Sequence, residues 1–236
     1  MGPVSGEPRI AIAPSLNAKL PYDPVKDFIH VIHLVDLPLV LIVHPSLPAA
    51  NLKEFIGYAR ANRGKVNTAS TGRGTYTHLT IELFNAITGV ELAHVPYKGA
   101  APAMNDLMGR QIQAMFTTTT SAQPYTSTGR LKALGITAPK RSATMADIPT
   151  FAEQGVANLN VSSWIGISVP AGSPAPAVRI LSDAFGKALQ SPALRERLAT
   201  LGAEPAGDTS EKFTRMVRED IQRWAKIIKS AGITVD

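Results

Sequence analysis

The sequence predicts an α/β fold with a largely parallel sheet. Three observations carry that prediction. Between residues 39 and 137, short β-rich apolar runs alternate with stretches of helical periodicity. The turns between them carry glycines and helix-capping residues, the punctuation of βα units. From Pro174 onward the chain is helical, with apolar stripes that read as packing faces.

The elements follow in order. Residues 39–43 (Leu39-Val40-Leu41-Ile42-Val43) form an unbroken apolar run of strand length, the pattern of a buried strand. Asn51 and Glu54 have the spacing of an N-cap and its capping-box partner. Leu52, Phe55, Ile56 and Ala59 then recur at helical spacing, and Gly64 stops the helix. Residues 66–69 are a short strand, and a Gly-rich turn leads into a helix with Leu79, Leu83, Phe84 and Ile87 on one face. Residues 92–95 are the next strand, followed by a helix with Met104, Leu107 and Met108. Two more strands, 112–116 and 131–137, enclose a short helix. In the tail, Pro174 opens a helix carrying Val178, Leu181, Phe185 and Leu189. Ser191 and Pro192 open another with Leu194, Leu198 and Leu201, and Thr209 starts a long one with Phe213, Val217, Ile221, Trp224 and Ile228.

Composition bounds the function. The 236 residues are 44% hydrophobic, enough to bury a sizeable core. No cysteine is present, which removes disulfides, thiolate metal sites and a Cys nucleophile. The longest apolar run, residues 37–43, is strand-sized and holds Pro38, so nothing spans a bilayer as a helix. Residues 1–10 have neither the basic nor the apolar region of a secretory signal. The net charge is +6, and residues 45–137 hold nine Lys/Arg against four acids, 9 − 4 = +5. Such a field favours an anionic partner. Nucleic acid is not that partner, because there is no dense basic stripe, aromatic RNA-binding motif or zinc finger.

Ligands of parallel α/β sheets gather where strands end and helices begin. That rule selects three loops: 70–77, 96–101 and 117–122. In the first, Ser70, Thr71, Gly72, Gly74 and Thr75 combine a tight turn, successive backbone N–H groups and hydroxyls at a helix start, a cradle for an anion, with His78 beside it. An ordinary capped βα turn has the same residues. It is neither a Walker loop nor a dinucleotide fingerprint. In the second, Gly99 permits close backbone approach, while Tyr97 either bonds a ligand or covers the core and Lys98 either pairs with a carboxylate or stays in water. In the third, the hydroxyls of Thr117 and Thr118 either donate to a carboxylate or cap the next helix.

Catalytic chemistry is scarce. His30 and His33 lie in a strand region, His94 packs near a strand end, and neither they nor His44 and His78 have zinc-motif spacing or adjoin a nucleophile motif. Glu219-Asp220 sits on a helix whose pattern reads as solvent-facing. The residues describe a binding protein without cofactor, metal or catalytic residues rather than an enzyme.

The chain resembles the solute-binding proteins of tripartite tricarboxylate transporters, also called Bug proteins. The resemblance is carried by Leu20-Pro21-Tyr22-Asp23-Pro24-Val25-Lys26-Asp27-Phe28, the 70–79 loop and His94-Val95-Pro96-Tyr97-Lys98-Gly99. It continues through Gly129-Arg130-Leu131-Lys132-Ala133-Leu134, Asp147-Ile148-Pro149-Thr150, and Trp164 to Pro174. It ends on Leu201-Gly202-Ala203-Glu204-Pro205 and the tail with Trp224. The resemblance implies a two-lobed periplasmic-binding-protein fold (Venus flytrap, type II), with residues 1–43 and 166–236 in lobe one and 44–165 in lobe two. It implies periplasmic capture of a small organic carboxylate, in the cleft between lobes, for membrane components of a transporter. An orphan or sensory interaction protein that no longer delivers solute is the alternative. Relatives of this kind begin with further strand–helix units of lobe one that are missing here, and Met1-Gly2 resembles the end of an internal strand. That comparison predicts a chain that binds weakly alone and self-associates through uncovered faces such as those of Leu181 and Phe185. Many relatives also place an acid where Thr117 stands, so its loss implies a more anionic or differently shaped ligand.

Overall fold

The computed structural model describes residues 4–6, 8–17 and 19–234. The reading of Met1-Gly2 as a strand end lies outside the described residues. The chain divides into two compact units, Leu37–Ser162 and the pair of segments Met1–Asp36 and Ser163–Asp236. Strand β1 (Val4–Gly6), a π-type turn (Pro8–Ile12) and the short helix α1 (Ala13–Leu16) precede β2 (Phe28–Val43). At 16 residues β2 is far longer than the five-residue run legible in the sequence, and it contributes to both units.

The central unit continues with α2 (Leu52–Ala61), β3 (Val66–Ser70), α3 (Tyr76–Thr88), β4 (Leu92–Pro96) and α4 (Ala100–Met108). It closes with β5 (Ala114–Thr118), α5 (Thr119–Thr126) and β6 (Lys132–Ile136). Its sheet has the order β6-β2-β5-β3-β4. Strands β3, β4 and β5 run parallel, as the βα pattern requires. The end of β2 is antiparallel between β5 and β6, with Val43 opposite both Ala114 and Lys132. The sheet is therefore mixed, because β2 enters from the other unit and is not part of a βα repeat.

Both faces of this sheet are covered, which is why β2 reads as a continuous apolar run. Leu41 and Val43 point into one core with Phe55, Phe84, Phe116 and Phe151. Val40 and Ile42 point into the other with Met104, Leu107 and Met115. Helix α2 starts as the sequence predicts: Asn51 Oδ1 accepts from the Glu54 N–H at 2.9 Å. The Glu54 carboxylate reaches one residue further back than a standard capping box, accepting from the Ala50 N–H at 2.7 Å. On α3, Ile81 rather than Ile87 completes the buried face, and Ile87 is exposed.

The other unit adds β7 (Ser162–Pro170), α6 (Ala175–Gln190), α7 (Pro192–Thr200), β8 (Glu204–Asp208) and α8 (Ser210–Ala231). Its strands lie in the order β1-β7-β2-β8. The apolar residues Val178, Leu181, Phe185 and Leu189 of α6 pack against Val31, Ile32, Ile167 and Val169 of the sheet. Leu181 and Phe185 are thus half-buried rather than uncovered, contrary to the sequence expectation, and the exposed apolar residue of α6 is Ile180. Ser191 occupies the N-cap of α7 without a side-chain cap bond, whereas Thr209 caps α8 by accepting from the Lys212 N–H.

Asp220 corrects a second expectation. It is buried, on the same face of α8 as Phe213, Val217 and Trp224. Its carboxylate accepts from the Trp164 indole N–H at 2.9 Å and pairs with Arg223 at 2.8 Å. Burial pushes its pKa up, against the pull of Arg223 and the indole. Close packing here is strict. A Cβ on Gly166 would run into the Phe213 ring and lie 2.9 Å from the Ile32 carbonyl oxygen, so β7 passes under α8 only with glycine at that point.

Candidate functional site

The parallel register sets the ends of β3 and β4 side by side, with Ser70 opposite Pro96, and β5 follows with Met115 opposite Ala69. The three sequence-selected segments therefore leave the central unit's sheet at one edge. Two of them are tied together: the Tyr97 N–H donates to the Ser70 carbonyl at 3.1 Å and the Gly99 N–H to the Thr71 carbonyl at 3.3 Å.

Within the first loop the hydroxyls are largely used to shape it. Thr75 is the N-cap of α3, and its Oγ1 donates to the Gly72 carbonyl at 2.7 Å. Thr77, which sequence reasoning passed over, is fully buried and bridges the turn: its Oγ1 accepts the Thr71 N–H at 2.9 Å and lies 2.9 Å from Thr75 Oγ1. Its signal was the Thr75-x-Thr77 spacing at a helix start. His78 Nδ1 accepts the Gly74 N–H at 3.0 Å. Ser70 Oγ spans Gly72, donating to its carbonyl and accepting its N–H. The backbone N–H groups of Thr71, Gly72, Gly74 and Thr75 are spent inside the loop as well, on Thr77, Ser70, His78 and the Gly72 carbonyl, so what it turns outward is the positive end of α3 and the exposed Arg73.

In the second loop Gly99 has φ +110 and ψ 178, a region open to glycine almost alone, and the space where a Cβ would stand is empty. Lys98 is exposed. Tyr97 packs against the core beneath it, and its hydroxyl donates to Asp106 Oδ2 at 2.7 Å. Burial and the adjoining carboxylate push its pKa up to about 12. The hydroxyl hydrogen is committed to Asp106 and is not free for another acceptor. Asp106, nine residues on in α4, is a partner that the sequence order did not single out.

The third segment is not a loop. Thr117 and Thr118 end β5, and α5 begins at once with Thr119. Thr117 is buried, with its backbone opposite Val40. Thr118 Oγ1 caps α5, accepting from the Ser121 N–H at 3.3 Å. Strand β6 ends at the same edge, where Thr137 exchanges bonds with Leu39 and donates to Val161, and the strand-end rule applied to β6 would have found it.

His94 was also undervalued. Its ring stacks on His78 with centroids 3.7 Å apart and planes 11° from parallel, and its Nε2 lies 2.6 Å from Ser70 Oγ. Burial pushes its pKa down to about 4, with His78 adding to the effect. The Ser70–His94 spacing is that of a catalytic dyad, but Ser70 is fully buried and no acyl group reaches it. Among the described residues no three His, Asp or Glu side chains are grouped to hold a metal, and no helix is long and apolar enough to cross a membrane. A surface cavity of about 480 Å³, lined by Pro45, Gly129, Lys132, Met145, Asp147 and Ile148 among others, lies at the opposite edge of the sheet and includes none of the three segments.

A helix-covered α/β sheet with glycine-containing turns side by side at its strand ends, in a chain of two compact units, fits the architecture of a solute-binding receptor. The chain belongs to the tripartite tricarboxylate transporter receptor family, whose profile matches residues 4–233. It is 32% identical to the protein BugT of Bordetella pertussis over 223 residues, which cover 94% of this chain and 68% of BugT. An R. palustris protein solved with adipate superposes with a TM-score of 0.86 at 32% identity, over 98% of this chain and 77% of that one. MatC of Rhodopseudomonas palustris, solved with bound malate, does so with a TM-score of 0.80 at 31% identity, over 95% and 78%. The fold class is therefore that of the periplasmic binding proteins. The chain spans 63–68% of the length of the curated relatives it matches first.

Proposed function

We propose that the chain captures a small organic carboxylate in the periplasm and presents it to the membrane components of a tripartite tricarboxylate-type transporter, without transforming it. In this reading residues 1–43 with 166–236 form lobe one and 44–165 lobe two, bounds that fall within seven residues of those of the two compact units. The ligand carboxylate lies against the turn of Ser70, Thr71, Gly72, Gly74 and Thr75, drawn by the positive end of α3 rather than by the N–H groups already bonded within the turn. Gly99 allows the second loop to approach, Tyr97 forms a wall, and Thr117 and Thr118 close the third side. Lys98 and Arg73 add attraction at longer range.

The observation that carries this reading is the pair of bonds joining residues 70–71 to 97–99. They bring two glycine-containing turns, each opening a helix, into one edge of a unit with a local excess of +5 charge. The adipate and malate held by the two relatives supply the chemical class. The test is a calorimetric titration with malate, adipate, citrate, benzoate and glutamate. Heat of binding for at least one carboxylate, with the compound recovered unchanged, is the expected result. Turnover of the bound compound would contradict the transport reading.

A further inference from the structure

We infer that His94 is a positioning residue for the ligand loop: stacked on His78 and donating to Ser70, it helps to hold residues 70–75 in place while His78 Nδ1 is free to accept the Gly74 N–H, so acidification releases the loop. The inference rests on the proposed carboxylate site, but the latch itself can be read without a ligand.

The geometry gives three constraints. A backbone N–H can only donate, so the Gly74 N–H at 3.0 Å requires a lone pair on His78 Nδ1. The neutral ring therefore carries its hydrogen on Nε2, which faces Glu82 Oε1 at 3.6 Å. A second proton can go only to Nδ1, where it would point at the Gly74 N–H and replace an attraction by a repulsion. Gly74 is buried, so its N–H has no water to turn to.

Second, the two rings lie face to face at 3.7 Å, a spacing that two cations do not tolerate away from water. Third, His94 Nε2 fixes the hydroxyl of Ser70, and that hydroxyl grips both the N–H and the carbonyl of Gly72. The ionisable groups around the pair are few. Glu82 faces His78 from α3, Arg73 stands in the loop, and β4 supplies His94 itself; β3 and β5 carry no ionisable side chain. Desolvation of His94 favours its neutral form, in keeping with the latch. The proton thus acts on the turn beside which the carboxylate would lie.

The experiment uses the whole chain, ¹⁵N-labelled and free of ligand. Long-range imidazole spectra and the exchange protection of the Gly74 amide, corrected for intrinsic pH dependence, are followed from pH 7.5 to 4.5. The expected result is at least a tenfold loss of Gly74 protection with the same midpoint as protonation of His78 Nδ1. His78→Asn, whose amide oxygen can accept the Gly74 N–H without titrating, should keep its protection across that range. At pH 7.5, where malate and adipate are both fully ionised, His94→Ala should weaken binding of whichever probe binds at least fivefold. His94→Gln, which can still reach Ser70, should recover part of that loss. Protection of Gly74 that ignores His78 titration, or that falls equally in His78→Asn, overturns the latch. If neither probe binds the wild type while Gly74 and His78 titrate together, the latch stands and the carboxylate reading of the loop fails.

Discussion

His30 and His33 flank Phe213 under α8, while His78 and His94 stack under the 70–75 turn. All four are at least half-buried, yet their partners differ in kind. His30 donates to the Pro24 carbonyl through Nε2 and accepts from Ser168 at Nδ1, and burial pushes its pKa down. His33 has an acceptor at each nitrogen, the Val35 carbonyl at 3.2 Å and Asp208 at 3.3 Å, so only the imidazolium satisfies both. Burial opposes that charge, but the bonds and charges of Asp36 and Asp208 outweigh it and its pKa is raised. Most of these partners sit on packed strands, and they tie β2 to β7 through Ser168 and to β8 through Asp208. Among the partners of His78 and His94, Gly74 lies in the turn and Ser70 at the strand end that opens it, and what these two bonds fix is a loop at the sheet edge. Buried polar groups tied to regular elements specify a fold; those tied to turns specify a site.

The largest expected effect lies in the first region. Trp164→Ala should destabilise the chain by about 3–5 kcal/mol in urea denaturation, because it empties a core position and leaves Asp220 buried without its indole donor. A cost below that of the loop variants would remove the distinction between a structural and a functional region.

Next in size is the pH dependence, where the two regions should part. His94 has a folded pKa of about 4 against an ordinary 6.5, so its contribution is complete above 6.5 and is lost as pH falls toward 4. At face value that is on the order of 3 kcal/mol, and less once solvent screening of the half-buried ring is allowed for. His33 is raised, so its contribution is complete below its ordinary value and is lost as pH rises through the folded one. Urea midpoints between pH 4 and 8 should show His94→Gln flattening the acid limb and His33→Phe flattening the alkaline limb. The same limb flattened by both variants would contradict the assigned charge states.

Two loop variants sharpen the comparison further. Gly99→Val should reduce carboxylate affinity at least about tenfold, or 1.4 kcal/mol, because it strains a φ of +110 and fills the open space beside the turn. Unchanged calorimetric affinity would place the second loop away from the ligand. The smallest effect belongs to Thr75→Ala. Loss of the cap and of the bond to Gly72 should cost about 1 kcal/mol and weaken binding by about fivefold. A thermal shift with no change in affinity would make Thr75 a cap and nothing more.

The turns were legible because their chemistry is local. Asn51, Thr75, Gly99 and Thr209 each sit where their own neighbours require a cap or a glycine, and the strand-end rule groups Thr75 with Gly99. Pairings between distant segments were not legible. Nothing near residues 39–43 reveals that Val43 lies opposite Ala114 and Lys132, and that register makes the sheet mixed. The His78–His94 stack joins a helix to a strand sixteen residues away, invisible to any local pattern. Asp220 carries a signal that its charge hides: with Phe213, Val217 and Trp224 it completes a 4–3–4 helical stripe on the buried face.

The central claim is that a small carboxylate is held at the strand-end turns of the central unit. The most direct measurement is a ¹H–¹⁵N amide titration of the chain at pH 7.5 with malate and with adipate, which reads weak binding as well as tight. Shifts concentrated at residues 70–75, 97–99 and 117–118 are the predicted result. Shifts concentrated around Lys132, Met145 and Asp147 at the opposite edge, or no shift with either compound, would contradict it.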